Sequence, residues 1–120
     1  MHELSIAMSL VEIACEKASG LGDVRVVALH LRLGALSGVV KEALLFSFEV
    51  AAAGTKVAGA RLEIEDVPLT VICPRCAEER ELAGFPLACP VCETPTPQLL
   101  RGKDLELHAL EVTENAAAHR

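Results

Sequence analysis

From Glu3 to Ser19 apolar and polar residues recur at helical spacing. Leu4, Met8, Val11, Cys15 and Ala18 make one apolar row at alternating +4 and +3 steps, and Ser5, Ser9, Glu12 and Glu16 make the matching polar row. Ile6, Leu10 and Ile13 widen the apolar face, as in a helix laid on a sheet, and Gly20 and Gly22 end it. The period then drops to two. Between Asp23 and Leu33, Val27, Leu29, Leu31 and Leu33 point one way and Ala28, His30 and Arg32 the other, which predicts a strand. Gly34 to Gly38 connects it to a second helix over Val40 to Ala53, whose apolar contacts are Leu44, Leu45 and Phe48 and whose stop is Gly54. Arg61 to Pro68 predicts a second strand burying Leu62 and Ile64, Leu105 to Val112 alternates as a last one, and Glu114 to Arg120 reads as a frayed tail.

A helix between two strands allows a parallel β-α-β crossover, and a mixed sheet fits the pattern equally. The segment from about Thr70 to Leu100 breaks the pattern with Pro74, Pro86, Pro90, Pro95, Pro97 and four cysteines. The fold class expected is α/β: a small mixed sheet with two helices, plus an inserted four-cysteine zinc-ribbon-like module. The expected domains are 1–69 with 101–120, and 70–100.

Composition narrows the function. At 120 residues the chain is one domain, or one with a small appendage, and with 52% hydrophobic but 2% aromatic residues its core is aliphatic. A net charge of −6 argues against a nucleic-acid surface, which needs clustered Lys and Arg, and the scarcity of aromatics argues against base stacking. No apolar run approaches the roughly 18 residues needed for membrane insertion; the best candidate is broken by His30 and Arg32. The N-terminus starts acidic, without the basic region of a secretory signal, so a cytoplasmic location is expected. No Ser/His/Asp set, phosphate loop or H-E-x-x-H helix points to an enzyme.

Five cysteines are an odd number, and four fall into Cys73-Pro-Arg-Cys76 and Cys89-Pro-Val-Cys92, with twelve residues between the pairs. Paired C-x₂-C spacing in a reducing compartment reads as metal ligation rather than a disulfide framework. Two thiolates three apart on a tight turn converge on one ion, and a second such turn completes a tetrahedron. Pro74 and Pro90 fix φ in these turns, and backbone N–H groups beyond each first cysteine suit the sulfurs as donors. Four thiolates leave no open coordination position, so the expected site is a structural Zn²⁺. A rubredoxin-like iron site is the chemical alternative.

The second candidate is the start of the chain, Met1-His2-Glu3. A free α-amine, a backbone amide and an imidazole joined through one residue can close fused chelate rings around Ni²⁺ or Cu²⁺, which favour planar nitrogen sites. A bulky His2 protects Met1 from removal, the first amides of a helix lack intrahelical acceptors, and the α-amine titrates near pH 8. The proposed donors are the Met1 amine, the His2 amide and imidazole, and the Glu3 amide or a partner. The helix dipole disfavours a cation there, which amide deprotonation offsets and which suits a carrier that must release its cargo.

Met1-His2-Glu3-Leu4-Ser5, Leu45-Phe46-Ser47-Phe48-Glu49, Gly54-Thr55, Leu62-Glu63-Ile64-Glu65 and the two cysteine pairs, taken together and in order, resemble the HypA/HybF nickel metallochaperones of hydrogenase maturation. The resemblance spans nearly the whole chain. It implies a nickel-binding α/β domain plus a zinc domain, Ni²⁺ as transient cargo and Zn²⁺ as a structural ion. It further implies delivery to the [NiFe]-hydrogenase large subunit precursor with a HypB-type GTPase. His2 matches the family's nickel ligand, Glu3 belongs to the same motif with Met1, and Cys73, Cys76, Cys89 and Cys92 match its zinc ligands. One departure is Glu93, where some relatives carry a histidine; no histidine lies between Thr70 and Leu100. A zinc-ribbon interaction module without nickel transfer is the alternative function. Among the remaining candidates, Cys15 reads as a small buried hydrophobe, His30 and His108 as ordinary strand histidines able to supply a further nickel donor, His119 as inert, and Glu12 and Glu16 as a solvated face.

Overall fold

The computed structural model describes residues 2–83, 86–95 and 98–115. Their elements run α1 (Glu3–Ser19), β1 (Val24–Gly34), α2 (Lys41–Ala52), β2 (Arg61–Val67), β3 (Leu69–Cys73), β4 (Glu78–Leu82), β5 (Leu99–Arg101) and β6 (Leu105–Glu114). They form two three-stranded sheets, ordered β2-β1-β6 and β4-β3-β5. The chain divides into two compact units, Met1–Leu31 with Val39–Ile64 and Leu107–Arg120, and Arg32–Gly38 with Glu65–Glu106.

The first sheet is mixed. Ala35 N–H donates to Val67 C=O at 3.0 Å, and Arg32 faces Glu65 at 3.7 Å, so the C-terminal ends of β1 and β2 meet and the strands run parallel, linked through α2. Gly34 N–H donates to Asp104 C=O at one end of β1, and Asn115 N–H to Asp23 C=O at the other, so β6 runs antiparallel to β1. β1 buries Leu29, Leu31 and Leu33 as its alternation predicts, and also Val26 and Ala28 from its other face.

α1 has the predicted extent, but its buried face is rotated. Ala7, Leu10, Val11, Ala14 and Ala18 are buried, whereas Leu4 and Met8 are 48% and 58% exposed. α1 packs against α2, which buries Leu44, Phe48 and Ala52 and leaves Leu45 39% exposed. Alanines at the contact let two backbones approach closely, so small residues rather than the bulkiest apolar ones mark the packed stripe.

The cysteine segment builds its own sheet. β3 pairs antiparallel with β4, in register from Leu69 opposite Leu82 to Cys73 opposite Glu78, and antiparallel with β5. Leu69, Val71 and Leu82 form its core, flanked by Leu36, Leu87 and Leu99. Gly102 closes the connection to β6 with φ +96°, its Cα against the Pro68 and Leu69 backbone so closely that a Cβ would lie 2.6 Å from Pro68 O.

Candidate metal centres

Each cysteine pair is held by the same backbone device. Ala77 and Glu93, the residues after Cys76 and Cys92, both take left-handed conformations, at φ 57° and 64°. Their N–H groups donate back to Cys73 C=O and Cys89 C=O, each at 2.8 Å. The reversal turns both thiols of a pair inward. Glu93, the departure from a histidine, thus stands at a position set by backbone geometry.

The four sulfurs converge within 4.8 Å of one another, and among the described residues they are the one group of three or more His, Cys, Asp or Glu that does so. Cys92 Sγ lies 3.5 Å from Cys73 Sγ and 3.6 Å from Cys76 Sγ. A disulfide needs about 2.05 Å, and all five cysteines are free. A tetrahedral zinc with Zn–S of about 2.3 Å has sulfur–sulfur edges of about 3.8 Å, so the spacing fits one ion. Donors are also in place: Cys76 N–H reaches Cys73 Sγ at 3.3 Å, Val91 N–H reaches Cys89 Sγ at 3.4 Å, and Thr94 Oγ1 lies 3.1 Å from Cys92 Sγ.

These donors make the thiols unequal. The Cys92 and Val91 backbone N–H groups, with Arg80, bring the Cys89 thiol down to about 6. Thr94, through hydroxyl and backbone, lowers Cys92. Cys76, bonded to Cys92 and Cys73 and so crowded by their charge, is pushed up to about 12. A dication neutralises that crowding, which couples metal binding to the loss of the last thiol proton.

At the chain start, Met1 lies outside the described residues. His2 is exposed at the N-cap of α1 and makes no capping hydrogen bond with its side chain. The first backbone bond of the helix is Ile6 N–H to His2 C=O at 3.1 Å, so the amides before Ile6 have no intrahelical acceptor. Glu3 Oε2 accepts the Val40 N–H at 3.1 Å, and this bond holds the Glu3 carboxyl below its usual range. Val40 is the N-cap of α2 and its own side chain cannot cap, so a carboxylate at distance 37 in sequence does so.

Among the described residues, none of the other candidates is a member of the four-sulfur group. His30 Nε2 pairs with Glu111 Oε1 at 2.8 Å, and Glu111 also faces Arg61 at 3.6 Å. His108 is exposed on β6, and His119 lies outside the described residues. Cys15 is half-buried on α1, and Glu12 and Glu16 are exposed. Arg80 and Thr94 were missed from the sequence; the alternation of Arg80 and Leu82 between Glu79 and Glu81 was the available signal.

A mixed α/β sheet with two helices, into which a small sheet with four convergent free thiols is inserted, defines a metal-binding protein with a two-knuckle tetrathiolate centre. A family model described as hydrogenase/urease nickel incorporation, metallochaperone, hypA, matches residues 1–112. The chain belongs to this HypA family, whose members are maturation factors rather than enzymes. It is 53% identical over 116 residues to the hydrogenase maturation factor HypA of Roseiflexus sp. (strain RS-1), covering 96% of this chain and 94% of the relative. The factor of the same name from Deinococcus radiodurans is 45% identical over 107 residues, 89% of each chain. In fold it is similar to the solution structure of the Ni metallochaperone HypA from Helicobacter pylori, with TM-score 0.66, 21% identity and coverage of 96% and 100%. A second HypA solution structure gives TM-score 0.72 at 22% identity, covering 96% and 98%. Among the described residues no helix is long and apolar enough to cross a membrane.

Proposed function

We propose that this chain carries Ni²⁺ at its N-terminus and delivers it to a [NiFe]-hydrogenase large subunit precursor, working with a HypB-type GTPase in the cytoplasm. Nickel is held by the Met1 amine, the His2 amide nitrogen and the His2 imidazole, with the Glu3 amide or a partner completing the plane. Residues 1–69 with 101–120 carry this site. Residues 70–100 carry a structural Zn²⁺ on Cys73, Cys76, Cys89 and Cys92.

The observation that carries the reading is His2, exposed at the N-cap of α1 where the first amides lack acceptors, in a chain of the nickel-incorporation family. Glu3 enters through its main chain, because its carboxylate is engaged by Val40 N–H. That bond ties the start of the chain to α2 and restricts where the imidazole can go.

The test is a Ni²⁺ titration of untagged protein whose intact mass shows Met1 as the first residue. Weak d–d absorption of a planar nitrogen site is expected, lost on His2→Ala and lost when one residue is added ahead of Met1. Cu²⁺ binds at least as tightly, so selectivity comes from supply and partners. Nickel binding by both variants as in the native chain would sink the carrier reading and leave a zinc-ribbon interaction module.

A further inference from the structure

Arg80 stands where an arginine is costly. It lies on β4 opposite Val71, two residues from the Cys73–Glu78 pair, so it shares the face of β3 and β4 that carries Cys73 and the buried Leu69, Val71 and Leu82. Its side chain is only 20% exposed. The terminal nitrogens are engaged: Nη2 with Glu78 Oε2 at 3.0 Å, and Nη1 with Glu79 C=O at 3.3 Å. Nε is sealed from solvent and meets no protein acceptor in hydrogen-bond geometry. A buried donor left unmatched is expensive, and a guanidinium cannot shed its proton to escape the cost. Besides Glu78, the neighbours that act on the guanidinium are the Cys89 and Cys76 thiols, one from each knuckle, although Nε makes no hydrogen bond to either sulfur.

We propose that Arg80 is a positioning residue for the tetrathiolate centre: from the face it shares with Cys73, its guanidinium turns the buried Nε–H toward the metal-bound cysteine sulfurs and offsets part of the centre's charge. Four thiolates around a dication carry a net charge of −2, and a guanidinium on the buried side offsets part of it locally, its Glu78 partner standing out toward solvent. The pairing answers two problems at once, an unmatched donor and an uncompensated anion. The other groups at the sulfurs, the main-chain N–H groups of Cys76 and Val91 and the Thr94 hydroxyl, bring no net charge. Arg80 is a full cation, buried on the face that carries Cys73. Glu78 orients it from the solvent side.

This inference rests on the reading of the four cysteines as a metal site, and the experiment separates the two. Full-length protein is prepared as native chain, Arg80→Met, Arg80→Lys and Glu78→Gln. Zinc affinity is measured against a chromogenic chelator at fixed pH, and the sulfur-to-cobalt charge-transfer band is recorded after Co²⁺ substitution. A cation and a hydrogen bond at a thiolate lower the energy of its lone pairs, so removing them moves that band to longer wavelength. Arg80→Met is expected to lose at least tenfold in zinc affinity, the usual range for groups that orient metal ligands being about 10–100-fold, with the band moved to longer wavelength. Arg80→Lys, keeping the charge without the planar fork, is expected to recover part of both, and Glu78→Gln to stay within about threefold of native. Native zinc affinity and an unmoved band in Arg80→Met overturn the inference, as does an equal loss in Glu78→Gln, which would trace the effect to the surface ion pair. Should Arg80→Met fail to fold, the cobalt band of Arg80→Lys decides, and an unmoved band there overturns it. A native chain that binds neither zinc nor cobalt refutes the metal site itself.

Discussion

Replacing Gly34 by alanine probes the closest backbone approach in the unit that carries the cysteines. A Cβ at Gly34 would overlap the Gly102 carbonyl carbon, lying 2.5 Å from its oxygen and 2.8 Å from Asp104 O. Carbon contacts become favourable only at about 3.5 Å, and every atom in the way is backbone, so β1 and the 102–104 segment must part. The contact is flanked by Gly34 N–H to Asp104 C=O at 2.9 Å and Leu36 N–H to Gly102 C=O at 2.7 Å, and both bonds lengthen in that movement. Overpacking costs about 1–3 kcal/mol, and impairing two backbone bonds adds up to about 2 kcal/mol. The expected loss is about 2–5 kcal/mol, a large share of the roughly 5–15 kcal/mol of a natural domain. Gly54→Ala is the control, since Gly54 has φ +78° with nothing within 4 Å of its Cβ and so carries only the left-handed penalty of about 1–2 kcal/mol. The chain has no Trp or Tyr, so denaturant midpoints of the zinc-loaded proteins are read by far-ultraviolet circular dichroism, at constant m. A Gly34→Ala variant no less stable than Gly54→Ala would refute the close-approach argument.

Three further outcomes are expected. Glu3→Ala should speed amide hydrogen exchange at Val40, while Glu3→Gln, which keeps an acceptor, should leave it near native; an unchanged rate in Glu3→Ala counts against the tie to α2. Since the bond holds the Glu3 carboxyl below its usual 4.5, the contact persists at neutral pH and is lost only as pH falls through that lowered value. In metal-free, reduced protein the ultraviolet thiolate band should rise in a first step near pH 6, from Cys89, and Cys89→Ser should abolish it. This thiolate's contribution to stability is full above about 9 and disappears as pH falls through about 6, and a single step above pH 8 would contradict the assignment. Finally, Leu44→Ala should cost about 2–5 kcal/mol and Leu45→Ala under about 1; equal losses would show that the burial of Leu44 and the exposure of Leu45 do not set the packed face of α2.

What was legible in the sequence follows from how local each cause is. The two cysteine pairs could be read directly, because a knuckle encodes its chemistry within five residues: two thiols and a residue able to take the left-handed turn after them. The extent of α1 was equally plain, since period and terminal glycines are local signals. Its orientation was not. Leu4 and Met8 are more apolar than Ala7 and Ala14, yet the partner surface of α2 selects the small residues, and that surface lies some 40 positions away in the chain. β4, Glu-Glu-Arg-Glu-Leu, carries almost no hydrophobic signal; it is a strand because β3 offers it five register positions. Arg80 and Glu3 are the instructive cases. Arg80 looks in sequence like one more surface charge, and Glu3 like a member of the Met1-His2-Glu3 motif alone. Arg80 acquires meaning from a face shared with Cys73, and Glu3 from an uncapped helix start at Val40. The candidate donor atoms are therefore written locally, whereas the contacts around them are written across the fold. A search by motif finds His2 and the cysteines as candidates, and only the contacts of the folded chain find the neighbours of these segments.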